Sequence, residues 1–170
     1  MNVPAQAKIA VGVVVERRKA ASPWIDYTWT PVTVLAGAPS VRPWTVLAEN
    51  AEVASFYAGA AEVALYRTET GNYRDNLASD MPRLWVGLRS IDSEPPYEIF
   101  AVTADPSEGE AWTEATGNLV DVVPMPEPVR AVIEAFVAEH HVERPFHKRE
   151  RDRADPEALA RRAPLARERE

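Results

Sequence analysis

The sequence predicts an α+β domain: a mainly antiparallel β-sheet forming a partly closed barrel or sandwich, with a C-terminal helix packed on it and a charged tail beyond. Three observations predict it. Short runs of alternating or β-branched apolar residues recur from Lys8 to Val123, with turn residues between them. Fifteen prolines, spread from Pro4 to Pro164, suit strands joined by turns and disfavour long helices. Pro128 to His141 carries the clearest helical period in the chain. With 170 residues, 46% of them apolar, the chain can bury one core. One domain is expected over residues 1–147, followed by a charged tail, residues 148–170.

Lys8 to Arg17 reads as a central strand: Ile9, Val11, Val13 and Val15 fall on one face, and Ala10, Gly12 and Val14 make the other nearly as apolar. Tyr27 to Leu35 is rich in aromatic and β-branched residues, and Pro31 within it marks an edge or a bulge. Trp44 to Ala48, Val53 to Tyr57 and, after Gly59, Ala61 to Arg67 read as three strands of a meander. Glu69 to Ala78 loses the period of two and reads as a loop with one or two helical turns. Leu84 to Arg89 and Tyr97 to Thr103 form a hairpin around the polar loop Asp92 to Pro96. Asp105-Pro106 places a capping residue before proline at the first position of a short acidic helix that Gly117 ends. A last strand, Leu119 to Val123, precedes the proline-flanked helix, where Val129, Ile133, Phe136, Val137 and His140 share one face. After Pro145 large apolar residues almost vanish, so Lys148 to Glu170 is expected to be mobile or ordered by a partner.

Charge and composition exclude several classes of function. The net charge is −7, and residues 143–170 hold nine of the Lys and Arg residues, which leaves 10 basic and 19 acidic residues in positions 1–142. An acidic body repels phosphate backbones, so no nucleic acid partner is expected. Cysteine is absent, which rules out disulfides, thiolate ligation of zinc or iron–sulfur clusters by this chain, and a thiol nucleophile. The apolar run Ile9 to Val15 is far shorter than the roughly 20 residues that a membrane span needs. Glu16-Arg17-Arg18 follows it where a signal peptide would have a cleavage site, so no membrane span and a cytoplasmic location are expected.

The candidate sites are few. Trp24 and Trp44 each sit beside a proline in a loop-like context, where an aromatic ring can meet a ligand or partner. Tyr73, Arg74 and Asn76 offer polar groups on the irregular segment, so these five are the candidate ligand or partner contacts. His140, His141 and His147 are weak candidates for metal ligation: adjacent helical histidines point about 100° apart, and no HExxH pattern or carboxylate supports them. Arg17-Arg18-Lys19 could hold an anion but reads more simply as a solvated strand end. No catalytic residue and no cofactor is expected.

Leu35-Ala-Gly-Ala-Pro-Ser-Val-Arg42 echoes the Leu-Ala-Gly-Gly-x-Ser-x-Arg loop of the nucleotidyltransferases that attach GMP to molybdopterin. Ala38 replaces the second glycine, Pro39 and Pro43 remove backbone donors, and a strand follows where those enzymes start a helix. Several longer strings carry another resemblance: Gly12 to Arg18, Trp29-x-Pro31-Val32-x-Val34-Leu35, Phe56 to Gly59, Tyr73-x-x-Asn76-Leu77, Val123 to Pro126, and Phe136 to Lys148 with its His140-His141-Val142-Glu143-x-Pro145-Phe146 core. Together they resemble an uncharacterised bacterial family of unknown function. Its members often carry the label molybdopterin-guanine dinucleotide biosynthesis protein A and are encoded near genes for molybdenum-dependent formate dehydrogenase. The resemblance covers roughly residues 8 to 150. It implies a non-catalytic accessory, assembly or regulatory protein of that system, with formate dehydrogenase subunits as the implied protein partner. A small-ligand or cofactor-binding module is the alternative, and a nucleotidyltransferase of molybdenum cofactor biosynthesis the third reading.

Overall fold

The computed structural model describes residues 4–143; His147 and the tail, residues 148–170, lie outside the described residues. Seven strands are found among the described residues: β1 (Ala7–Lys19), β2 (Tyr27–Ala36), β3 (Thr45–Glu49), β4 (Val53–Leu65), β5 (Arg83–Ser90), β6 (Tyr97–Thr103) and β7 (Asn118–Pro124). Three α-helices accompany them among the described residues: α1 (Thr70–Ala78), α2 (Pro106–Ala111) and α3 (Glu127–His140). The sheet runs β2-β1-β4-β6-β5-β7, with β3 also on β4. Its end strands β2 and β7 approach each other, so the sheet is a nearly closed barrel, as the composition and patterning predict.

Two antiparallel units make this barrel. β1 to β4 form one and β5 to β7 the other, joined by a parallel contact in which Val63 of β4 meets Val102 of β6. β1 is the spine. Val11, Val13 and Val15 are fully buried in the core with Val63, Leu65, Leu84, Val86, Leu88 and Val123. Against β2 its register shifts so that Val14 faces Thr33 and Val15 faces Pro31, leaving Val32 as the extra residue of a bulge. Pro31 has no N–H to give a regular ladder, and the bulge absorbs that loss.

The meander differs from expectation at one place. Gly59 does not end a strand: β4 is continuous from Val53 to Leu65. Val13 pairs with Gly59 and Val14 with Tyr57, so Ala58 is the extra residue of a second bulge. Gly59 has φ +139°, which a residue with a Cβ rarely adopts, and here the glycine bends a strand instead of breaking it. β4 can therefore hold β3 along its first half and meet β6 in its second.

β5 is buried on both faces. Leu84, Val86 and Leu88 face the core, and Trp85 packs outward under α2, where Gly109 leaves room for its ring. A Cβ on Gly109 would lie 2.1 Å from Trp85 Cγ. Gly109→Ala is expected to destabilise the fold by about 2 kcal/mol through overpacking, measured by urea unfolding; an unchanged midpoint would mean that α2 shifts freely. α2 starts as its sequence predicts: Asp105 Oδ1 accepts the Ser107 N–H at 2.9 Å, with Pro106 in the first helical position.

The segment read as a loop with helical turns is a 3-10 turn, Arg67–Glu69, leading into the nine-residue α1. Its own sequence favours a helix weakly, with Gly71, Asn72 and Asn76 inside it. Tertiary contacts supply the rest. Tyr73 is buried, its ring 6.3 Å from that of Phe136 on α3, and its hydroxyl accepts the Tyr66 N–H at 3.0 Å. α3 packs on α1 and contributes Val129, Ile133 and Phe136 to the core, the first three residues of the face that its period predicts.

Burial pushes the Tyr73 phenol up to about 12; the Tyr66 hydrogen bond opposes the rise, and the charges of Asp105, Glu69 and Glu108 add to it. Between the ordinary phenol value of 10.0 and about 12 the unfolded chain has lost this proton while the folded chain keeps it. The unfolded state then binds fewer protons, so stability falls as pH rises through that window. Unfolding titrations from about pH 9 to about pH 12 are expected to show a steeper loss for the native chain than for Tyr73→Phe. Parallel curves would place the effect elsewhere.

Candidate functional site

The loop between β1 and β2 presents the most exposed large apolar side chain among the described residues, Trp24 at 90% exposure. Ser22-Pro23 and Asp26 build a closed tip. Ala20 N–H donates to the Asp26 carbonyl at 3.0 Å, and Trp24 N–H donates to Ser22 Oγ at 3.2 Å. The neighbours Ile25 and Tyr27 are 52% and 41% exposed. The tip therefore holds an indole, a branched aliphatic and a phenol toward solvent on a hydrogen-bonded frame.

Behind the tip an aromatic cluster closes this end of the molecule. Trp29 lies 5.7 Å from Phe56, 6.0 Å from Trp44 and 6.1 Å from Tyr97 between ring centroids. Trp44 is half-buried and adopts φ 65°, an uncommon conformation for a bulky residue, while its N–H donates to the Tyr57 carbonyl. Arg17 lies over these rings, its guanidinium carbon 4.3 Å from the Tyr27 centroid and 5.4 Å from that of Phe56. Glu49 meets the same guanidinium at 3.8 Å. Arg17 is thus part of the aromatic packing, and not a member of the solvated strand end as which Arg17-Arg18-Lys19 reads. Arg17 pairs with Trp29 across the hairpin, in a register that the bulge in β2 sets.

The remaining candidates lie elsewhere. Tyr73 and Asn76 point inward from α1, with the Asn76 amide engaged by Arg83 and Ala104 backbone groups. Arg74 faces outward to a cleft between α1 and the end of α3, with Glu143 Oε1 at 3.1 Å. His140 and His141 line the same cleft, so three sequence candidates meet there. Thr70 Oγ1 donates to the Arg67 carbonyl at 3.2 Å, and His141 Nδ1 lies within hydrogen-bond distance of the same oxygen, at 3.1 Å. His141 Nε2 is buried without a hydrogen-bond partner among the described residues. Arg67 and Arg74 face Glu139 and Glu143 across this cleft, a mixed-charge lining that selects neither an anion nor a cation.

Among the described residues no group of three His, Cys, Asp or Glu side chains is arranged to hold a metal ion. A second cleft, lined by Glu62, Glu69, Asn72, Asp105 and Glu108, binds its carboxylates internally: Asn72 Nδ2 donates to Asp105 Oδ1 at 3.0 Å, and Thr103 Oγ1 donates to Glu108 Oε2 at 2.6 Å. The Leu35 to Arg42 string leaves β2 through Gly37 toward β3 without forming a helix. Among the described residues no helix is long and apolar enough to cross a membrane.

Neither the curated proteins nor the solved structures contain a match to this chain. Residues 10–150 match the family described as protein of unknown function (DUF3305), which spans both units of the barrel, the Trp24 tip and α3. The chain belongs to that family.

Proposed function

We propose that this protein is a non-catalytic accessory protein that binds another protein through the Trp24 tip, and that the partner belongs to a molybdenum-dependent formate dehydrogenase system. One observation carries the binding reading: an indole 90% exposed on a loop whose backbone is hydrogen-bonded to itself. Exposing a ring of that size to water is unfavourable, and its burial in a partner's pocket contributes more than that of most side chains. The ordered frame lowers the entropy lost on binding. Trp is enriched among the few residues that dominate interface energy. The formate dehydrogenase partner rests on the resemblance described above and on the gene neighbourhood that it implies.

A small-ligand module built on Trp24, Trp44, Tyr73 and Arg74 has less support, because Tyr73 is in the core and Trp44 is packed among its neighbours. The test is affinity capture of the tagged protein from its native cells grown with formate, with co-purifying proteins, metals and nucleotides identified. Stoichiometric formate dehydrogenase subunits are expected. A chain recovered alone with a tightly held small molecule would overturn the proposal.

A further inference from the structure

Six large apolar side chains between residues 24 and 47 are substantially exposed: Trp24, Ile25, Tyr27, Val41, Val46 and Leu47. Val46 and Leu47 are separate from the Trp24 tip in one respect: they lie on β3, which pairs with β4 on one side only. Its other edge has no strand beside it among the described residues. β3 is short, and Thr45-Val-Leu-Ala-Glu49 carries neither Lys nor Pro, two of the residues that block such an edge. Leu47, 52% exposed, is the extra residue of the bulge that interrupts the ladder with β4.

The charges at the two ends of β3 differ in sign. Arg42 precedes it, Glu49 and Glu52 follow it, and Leu47 lies midway in sequence between Arg42 and Glu52. Arg42 and Glu52 are exposed and have no ion-pair partner among the described residues. A strand with one cationic and one anionic end is complementary to itself when two copies run antiparallel, and repels itself when they run parallel. A twofold axis at Leu47 would set Arg42 of each copy near Glu52 of the other and bury both Val46 and both Leu47 side chains.

We infer that a second copy of this chain docks on β3, forming an antiparallel homodimer about Leu47 that goes beyond the Trp24 reading and uses a different surface. The test is the mass of the full chain by light scattering and sedimentation across a micromolar to submillimolar series, with circular dichroism to verify folding. A dimer is expected for the native chain. Leu47→Asp, which sets two carboxylates face to face, is expected to weaken self-association about tenfold or more. Arg42→Glu and Glu52→Arg are each expected to weaken it, and the double exchange to restore it. A monomer at every concentration, or a dimer untouched by Leu47→Asp, would overturn the inference; so would a failure of the double exchange to rescue. Trp24→Ala is expected to leave the mass unchanged, so the two surfaces fail or stand independently.

Discussion

Replacing Asn76 by Leu is expected to lower the unfolding free energy by about 3 kcal/mol, although the two side chains have similar volume. The amide ties together three chain segments. Its Nδ2 donates to the carbonyls of Arg83 at 2.8 Å and Ala104 at 2.9 Å, and its Oδ1 accepts the Arg83 N–H at 3.1 Å. Asn76 itself is 4% exposed, so water has little access to replace it. Each buried backbone group left without a partner costs about 1 kcal/mol or more, and Leu removes the partner of one buried group, the Ala104 carbonyl, and of two part-buried ones on Arg83. Against a total stability of about 5 to 15 kcal/mol for a domain, that is a large fraction. Guanidinium unfolding of the variant checks the figure. A loss below about 1 kcal/mol would mean that the end of α1 relaxes and finds other partners.

Trp24→Ala is expected to have the opposite profile: no change in Tm and a loss of partner binding of about thirtyfold or more, equivalent to about 2 kcal/mol. The indole makes little contact with its own chain, so its removal costs the fold almost nothing. Binding titrations against the captured partner, run beside thermal unfolding, separate the two quantities. A variant that binds normally would remove the tip from the interface, and a variant that unfolds early would make the indole structural.

The strands were legible because alternation and β-branching are local properties, and the helix α3 because its apolar face repeats over three turns. The barrel's near closure was legible only in outline. It depends on a single parallel meeting of Val63 with Val102 and on the approach of β2 to β7, both long-range events without a local pattern. Gly59 misled the strand count because a glycine at φ +139° bends β4 through a bulge, and a sequence does not distinguish a bend from a stop. α1 was only partly legible, since Tyr73 and Asn76 stabilise it from inside the fold rather than through propensity.

The same distinction governs the candidate residues. Tyr73 and Asn76 carry donors and acceptors that a sequence presents as available, yet the fold uses them for its own backbone. Trp24 sits beside Pro23 in a loop-like context, and the loop does hold that ring in solvent. Trp44 has a similar sequence setting beside Pro43, but its ring turns into the cluster with Trp29 and Phe56. The link between Thr70 and His141 joins residues far apart in the chain and left no local signal.

The most direct test of the Trp24 reading is a photo-crosslinking residue at position 24 of the full chain, irradiated in its native cells beside a control at Val132, an exposed position on α3. A discrete adduct with one protein from position 24 and none from position 132 is the expected result, with formate dehydrogenase subunits as the expected identity. No adduct from position 24, or the same adducts from both positions, would contradict it.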